Sequence, residues 1–104
     1  MEEKGFYHNL NELMNFSKGG IFSKVLAKSD SFNHTLMCLA DGTDMDTHTS
    51  AKNGCLQILK GTGTFTLFDK EIKMQPGTYI FMPANAPHSL QADEDLAFLL
   101  CLSV

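Results

Sequence analysis

From Gly77 to His88 the chain reads Gly-Thr-Tyr-Ile-Phe-Met-Pro-Ala-Asn-Ala-Pro-His, and no other stretch constrains the fold as much. Gly77 can take the positive φ that a tight turn requires. A four-residue apolar strand, Tyr79 to Met82, follows it. Pro83 and Pro87 each lock their own φ and drive the residue before them towards extended backbone, so the bend between them is stiff. Such a bend aims His88 in a fixed direction. The competing reading is that the two prolines only guard an edge strand against adding neighbours and leave His88 exposed.

From Gly20 onwards the sequence is cut into short strands by frequent turn signals. Ile21 to Ala27 and Phe32 to Ala40 are predicted as the first two, and Asp41-Gly42 as a turn. The acidic stretch from there to His48 reads as irregular. Gly54 to Leu59 is a strand ending at the Gly61-Thr62-Gly63 turn. Thr64 to Phe68 and Glu71 to Met74 form a hairpin around Asp69-Lys70. Pro76-Gly77 is a corner, and a strand runs from His88 to Gln91. The last run, Leu96 to Val104, places Leu96, Phe98, Leu100 and Leu102 on one face and Ala97, Leu99, Cys101 and Ser103 on the other. Both faces are largely apolar, which predicts cover on two sides. Some eight short strands with glycine and proline turns point to an all-β antiparallel sandwich or barrel.

Residues 1–20 read as an N-terminal arm before a barrel domain over residues 21–104. A helix is predicted from Asn9 to Phe16, capped by Asn9 or Asn11, with Glu12 in the first turn and an apolar stripe of Leu10, Leu13, Met14 and Phe16. Such a stripe packs on a core or on a partner subunit.

At 104 residues, 43% of them apolar, the chain is long enough for one compact core. Its net charge of −4, with all eight basic residues lysine, leaves no basic patch for a phosphate backbone, so no nucleic acid partner is expected. No apolar run approaches the roughly 20 residues that span a bilayer, and Met-Glu-Glu-Lys-Gly is no signal peptide, so no membrane role is expected. Cys38, Cys55 and Cys101 make no Cys-x-x-Cys pair and sit in or beside apolar runs, as reduced core cysteines do. These features together predict a cytoplasmic protein.

Two spacings carry a family resemblance. Gly42, His48 and Gly61 stand as in the first cupin motif, and Gly77, Pro83 and His88 as in the second. Asn85 replaces the second glycine of the latter motif, and Ala92 its asparagine. The chain resembles the small stand-alone cupins over about residues 18 to 104. The resemblance implies a double-stranded β-helix (jelly-roll) barrel with a pocket at one mouth. It also implies one divalent metal, held by two histidines and a glutamate of the first motif and the histidine of the second. Here His48 and His88 match, Ser50 stands at the second histidine position, and Gly54 stands at the glutamate position.

Two neutral imidazoles would hold iron, manganese, nickel or zinc only weakly, so the expectation is a weakly held divalent transition metal or none. Asn53, Asp46, Asp44 and His34 are the side chains that could complete a shell. His34 shares strand parity with Leu36 and Cys38 and on that parity could face into the barrel, although a lone strand histidine is usually structural. Strand alternation turns Cys55 away from the pocket and Leu56 into it if Gly54 faces in. Ser89 projects opposite His88. No catalytic residue is assigned. The predicted pocket consists of His48, Ser50, Leu56, Met82 and His88. Three functional classes follow: a small-molecule-binding cupin, a metal-dependent enzyme of oxygenase or isomerase type, and a structural or assembly domain. Homodimerisation is expected, with the doubly apolar last strand needing cover and the arm reaching to a neighbour.

Overall fold

The computed structural model describes residues 5–17 and 19–103. The first four residues of the arm, Lys18 and Val104 lie outside them. Nine strands form two antiparallel sheets packed face to face as a jelly-roll. They are β1 (Ile21–Lys28), β2 (Phe32–Leu39), β3 (Asp44–His48), β4 (Asn53–Lys60), β5 (Gly63–Leu67), β6 (Lys70–Met74), β7 (Tyr79–Met82), β8 (His88–Ala92) and β9 (Leu96–Ser103). One sheet has the order β1-β2-β9-β4-β7 and the other β3-β8-β5-β6. The core between them contains Leu39, Leu56, Ile58, Phe65, Met74, Ile80, Met82, Leu90, Leu96 and Phe98. Among the described residues no helix is long and apolar enough to cross a membrane.

β9 lies between β2 and β4, and its two apolar faces are both used. Leu96 and Phe98 enter the inter-sheet core, while Ala97 joins Leu36 and Cys38 on the outer face. That outer cluster is covered by Leu13, Met14 and Phe16 of the chain's own arm. The cation of Lys60 sits 5.1 Å from the centre of the Phe16 ring and adds a further contact. The arm therefore lies on its own sheet.

The helix of the arm, α1, is a single turn, Leu10–Leu13, shorter than the predicted Asn9 to Phe16. Asn9 caps it by accepting from the Asn11 amide at 3.1 Å. By Met14 the backbone is already extended. Asn15 takes both the amide and the hydroxyl of Ser17 on its side-chain oxygen, a local arrangement that competes with helix continuation.

Three other expectations are corrected. The acidic stretch before His48 is a strand, β3, paired with β8 at the sheet edge. Its charges are the solvated side of an edge strand, which is why the stretch looks irregular in sequence. The hairpin turn falls at Phe68-Asp69, with Leu67 opposite Lys70. Phe68 takes a φ of 54°, steadied by its amide donating to the Pro87 carbonyl at 2.9 Å. Finally, the parity of Leu36 and Cys38 faces the arm, so His34 points to the outer side and away from the barrel interior. With apolar residues on both faces of β2, Leu36 and Cys38 on one and Met37 and Leu39 on the other, alternation alone could not say which face was inner.

Candidate functional site

The site is built where β3 meets β8. Strict alternation would put Met45 and His48 on opposite faces of β3, but the register shifts between them. The irregularity turns both inward, so that His48 lies opposite His88 across the two strands. The imidazole rings meet edge-on, with centroids 4.2 Å apart and an interplanar angle of 61°. His88 is buried and stacks on Phe65 at 5.7 Å, whereas His48 is exposed at the mouth.

Both rings are oriented by backbone. The Nδ1 of His88 lies 2.9 Å from the Ala86 carbonyl oxygen, and the Nδ1 of His48 lies 2.8 Å from that of Asp46. A carbonyl oxygen can only accept, so Nδ1 carries the proton in each neutral ring and Nε2 keeps its lone pair. The Pro83–Pro87 bend supplies the first of these carbonyls, and it is itself tied down. The Asn53 side chain accepts from the Ala84 amide at 2.9 Å, and the Ser50 carbonyl accepts from the Asn85 amide at 2.6 Å. Asn85 has a φ of 68°, which accounts for the glycine usual at this motif position. The stiffness read from the two prolines is thus a hydrogen-bonded corner that holds His88.

Beneath the histidines is a cavity of about 40 Å³. Its walls are Met37, Met45, Leu56, Phe65, Met82, Leu90, Phe98 and Leu100 together with His48 and His88. Of the five residues expected to form the pocket, His48, Leu56, Met82 and His88 line this cavity. Ser50 does not. It lies in the bend after β3, where its hydroxyl accepts from the Lys52 amide at 3.2 Å. The other wall residues were missed. Leu100 and Phe98 share one face of the last predicted strand, but nothing in the sequence showed that this face is the inner one. Met45 could not be found without the register shift.

The donor set does not fit the metal that the fold family implies. Two imidazole nitrogens are present, and among the described residues no group of three His, Cys, Asp or Glu side chains is placed to hold an ion. Gly54 faces inward, and the space a side chain would need is occupied. A Cβ built there would lie 2.8 Å from Met82 Cε and 2.9 Å from Leu102 Cδ2. The side chains that could have completed a shell are elsewhere. Asn53 holds the bend, Asp44 and Asp46 line the outer face of the smaller sheet, and His34 packs at a tilt against Phe32, ring centres 4.8 Å apart, on the outer face of the larger one. Cys55 also faces outward, opposite Cys101, and among the described residues no carboxylate lines the cavity.

No functionally curated protein matches the sequence. Among solved structures, a cupin superfamily protein from Desulfitobacterium hafniense superposes with a TM-score of 0.85 at 23% identity, covering 91% of this chain and 87% of that one. A conserved protein of unknown function from Streptococcus pyogenes gives 0.84 at 24% identity, over 99% and 90%. A cupin 2 conserved barrel domain protein from Leptotrichia buccalis gives 0.86 at 28% identity, and there this chain spans 47% of the other's length. Residues 35–104 match the family described as the cupin domain, a span that holds the β3 bulge, the Pro83–Pro87 bend and both cavity histidines. The chain belongs to the cupin family.

Proposed function

We propose that this protein is a small-molecule-binding cupin whose two histidines act as hydrogen-bonding groups rather than as half of a metal shell. The observation that carries this reading is the orientation of the rings. Both Nδ1 atoms are tied to carbonyls, so each of the two adjacent rings keeps an Nε2 lone pair in the lining of an apolar cavity that, among the described residues, has no carboxylate. A ligand with an O–H donor and a compact apolar body, such as a phenol or a protonated aromatic acid, matches these features. Binding pockets commonly have this character, apolar with a few convergent polar groups.

The cavity has to open to admit such a ligand, because about 40 Å³ is far below the roughly 300 Å³ at which small-molecule pockets begin. Met37, Met45 and Met82 supply the means. Unbranched thioether side chains repack at low cost, and all three line the cavity.

The test pairs elemental analysis with thermal shift, on the wild type and on a His48→Ala, His88→Ala double variant. The expected result is sub-stoichiometric metal in both proteins and a saturable shift with phenols or aromatic acids only in the wild type. Near-stoichiometric metal that disappears in the double variant would overturn the reading in favour of a metal-dependent enzyme. Absence of any ligand shift would favour a structural domain.

A further inference from the structure

We propose that Cys55 and Cys101 form a reversible dithiol site on the outer face of the larger sheet, closing to a cross-strand disulfide through exchange with a small disulfide such as oxidised glutathione. The two residues are direct register partners on β4 and β9. Directly opposed residues of an antiparallel pair have Cα atoms about 4.5–5.5 Å apart, inside the span that a disulfide bridges. Their Cβ atoms, about 4.5–5.5 Å apart, sit at or beyond the long end of disulfide geometry, so the closed bond is strained and easily reduced. Both thiols are free and half-buried, and their sulfurs lie within hydrogen-bond reach of each other. They share an open groove of about 210 Å³ with His34, Tyr79 and Phe81.

The surroundings suit exchange and set its order. Burial, and then the neighbouring Cys55, push the Cys101 thiol above its ordinary value, which makes Cys101 the poorer group to begin the reaction. The Tyr79 hydroxyl is within hydrogen-bond reach of Cys55, and the charge on a Cys55 thiolate is the main cause holding the phenol proton more tightly. His34 is the register partner of Cys101 on the adjacent strand and offers a proton acceptor on the same face.

In the first step the Cys55 thiolate attacks one sulfur of the small disulfide, forming a mixed disulfide and releasing one small thiolate. In the second, the Cys101 thiolate attacks the Cys55 sulfur of the mixed disulfide, closing the protein bond and expelling the second small thiolate. Two protons leave the protein and one goes to each released thiolate. The protein loses two electrons and the small disulfide gains them. The closed bond would lie directly behind the cavity wall, since the adjacent register pair is Leu56 and Leu100. Cys38 takes no part, because it is sealed under the arm.

The test is equilibration of the wild-type protein in buffers of mixed reduced and oxidised glutathione, followed by acid quench, intact mass and peptide mapping. The expected result is an intramolecular Cys55–Cys101 link that forms and reopens within the range those buffers span. A parallel titration with phenylarsine oxide, which bridges paired thiols, should give one adduct per chain, lost in both Cys55→Ser and Cys101→Ser but kept in Cys38→Ser. Mixed glutathione adducts without the internal link, links between chains only, or an arsenical adduct that survives either serine variant would each overturn the proposal. The mapping on unmodified protein decides the matter even if a serine variant fails to fold.

Discussion

Gly54→Glu is the perturbation that bears most directly on why the metal shell is incomplete. Gly54 faces the interior on β4, opposite Met82 on β7 and Leu102 on β9. The atoms a new Cβ meets, Met82 Cε at 2.8 Å and Leu102 Cδ2 at 2.9 Å, are the far ends of flexible side chains. The insertion therefore costs about 1–3 kcal/mol as overpacking, without a clash with backbone, and burial of the unpaired carboxylate adds to that loss until a cation binds. For a domain of this size each kcal/mol lowers the melting temperature by roughly 4–8 °C. Met82, the register partner of Gly54, lines the cavity with both histidines, so a glutamate here would be aimed at that cavity and would bring a third donor towards the two imidazoles. Manganese is the suitable probe, because it favours oxygen and nitrogen donors over the outer-face thiols. A ligand at one hundred times its dissociation constant stabilises a folded protein by about 2.7 kcal/mol, a gain comparable to the overpacking loss. The assay is a pair of melts with and without manganese for wild type, Gly54→Glu, and Gly54→Glu with Met82→Ala to make room. The expected outcome is a large manganese-dependent rise in the variants and little in the wild type. Folded variants that respond to manganese no more than the wild type would refute the claim that Gly54 is what disables the site.

Asn85→Ala should cost about 1–2 kcal/mol in urea unfolding because its φ of 68° is left-handed, while Asn85→Gly should cost nothing; equal losses would remove the strain argument. Burial is the main cause that raises the Cys38 thiol above its ordinary value of 9.0, so the folded state favours the neutral form. The resulting stability is complete below the unfolded value and is lost as pH rises through the folded one. Stability should accordingly fall above about pH 9, and Cys38→Ala should flatten that part of the fall in urea titrations. We propose that two copies pair along the β1 edge, where Ile21 and Val25 are 48% and 51% exposed. Light scattering should give a dimer that Val25→Lys splits, and a wild-type monomer at high micromolar concentration would end the idea.

Much of the barrel was legible because its signals are local. The Tyr79 to Met82 strand was bounded correctly by Gly77 before it and Pro83 after it, and the two-faced apolarity of β9 correctly implied cover on both sides. The identity of one cover was not legible. Leu13, Met14 and Phe16 could as well have met a partner subunit, and only the packed structure places them on Leu36, Cys38 and Ala97. The site divided along the same line. His88 was aimed by chemistry written next to it in the chain, whereas Met45 and the inward turn of His48 depend on a register shift between strands about 40 residues apart in sequence. The fate of the glutamate position was half visible. Its replacement by glycine could be read directly, but the filling of that space by Met82 and Leu102 comes from two other strands.

The central place of β9 also governs when the protein can fold. Until residues 96–103 have left the ribosome, β2 and β4 have no strand between them, and the five-stranded sheet exists only as two unjoined pieces, β1-β2 and β4-β7. Pairing β9 with β2 closes a long loop, the kind of non-local contact that places a domain among the slower folders. During synthesis the apolar faces of both pieces remain uncovered, in the state most open to aggregation and to capture by chaperones. A nascent chain stalled before Leu96 would be a client of quality control rather than a smaller working barrel, whereas loss of the first residues of the arm would leave all nine strands able to assemble.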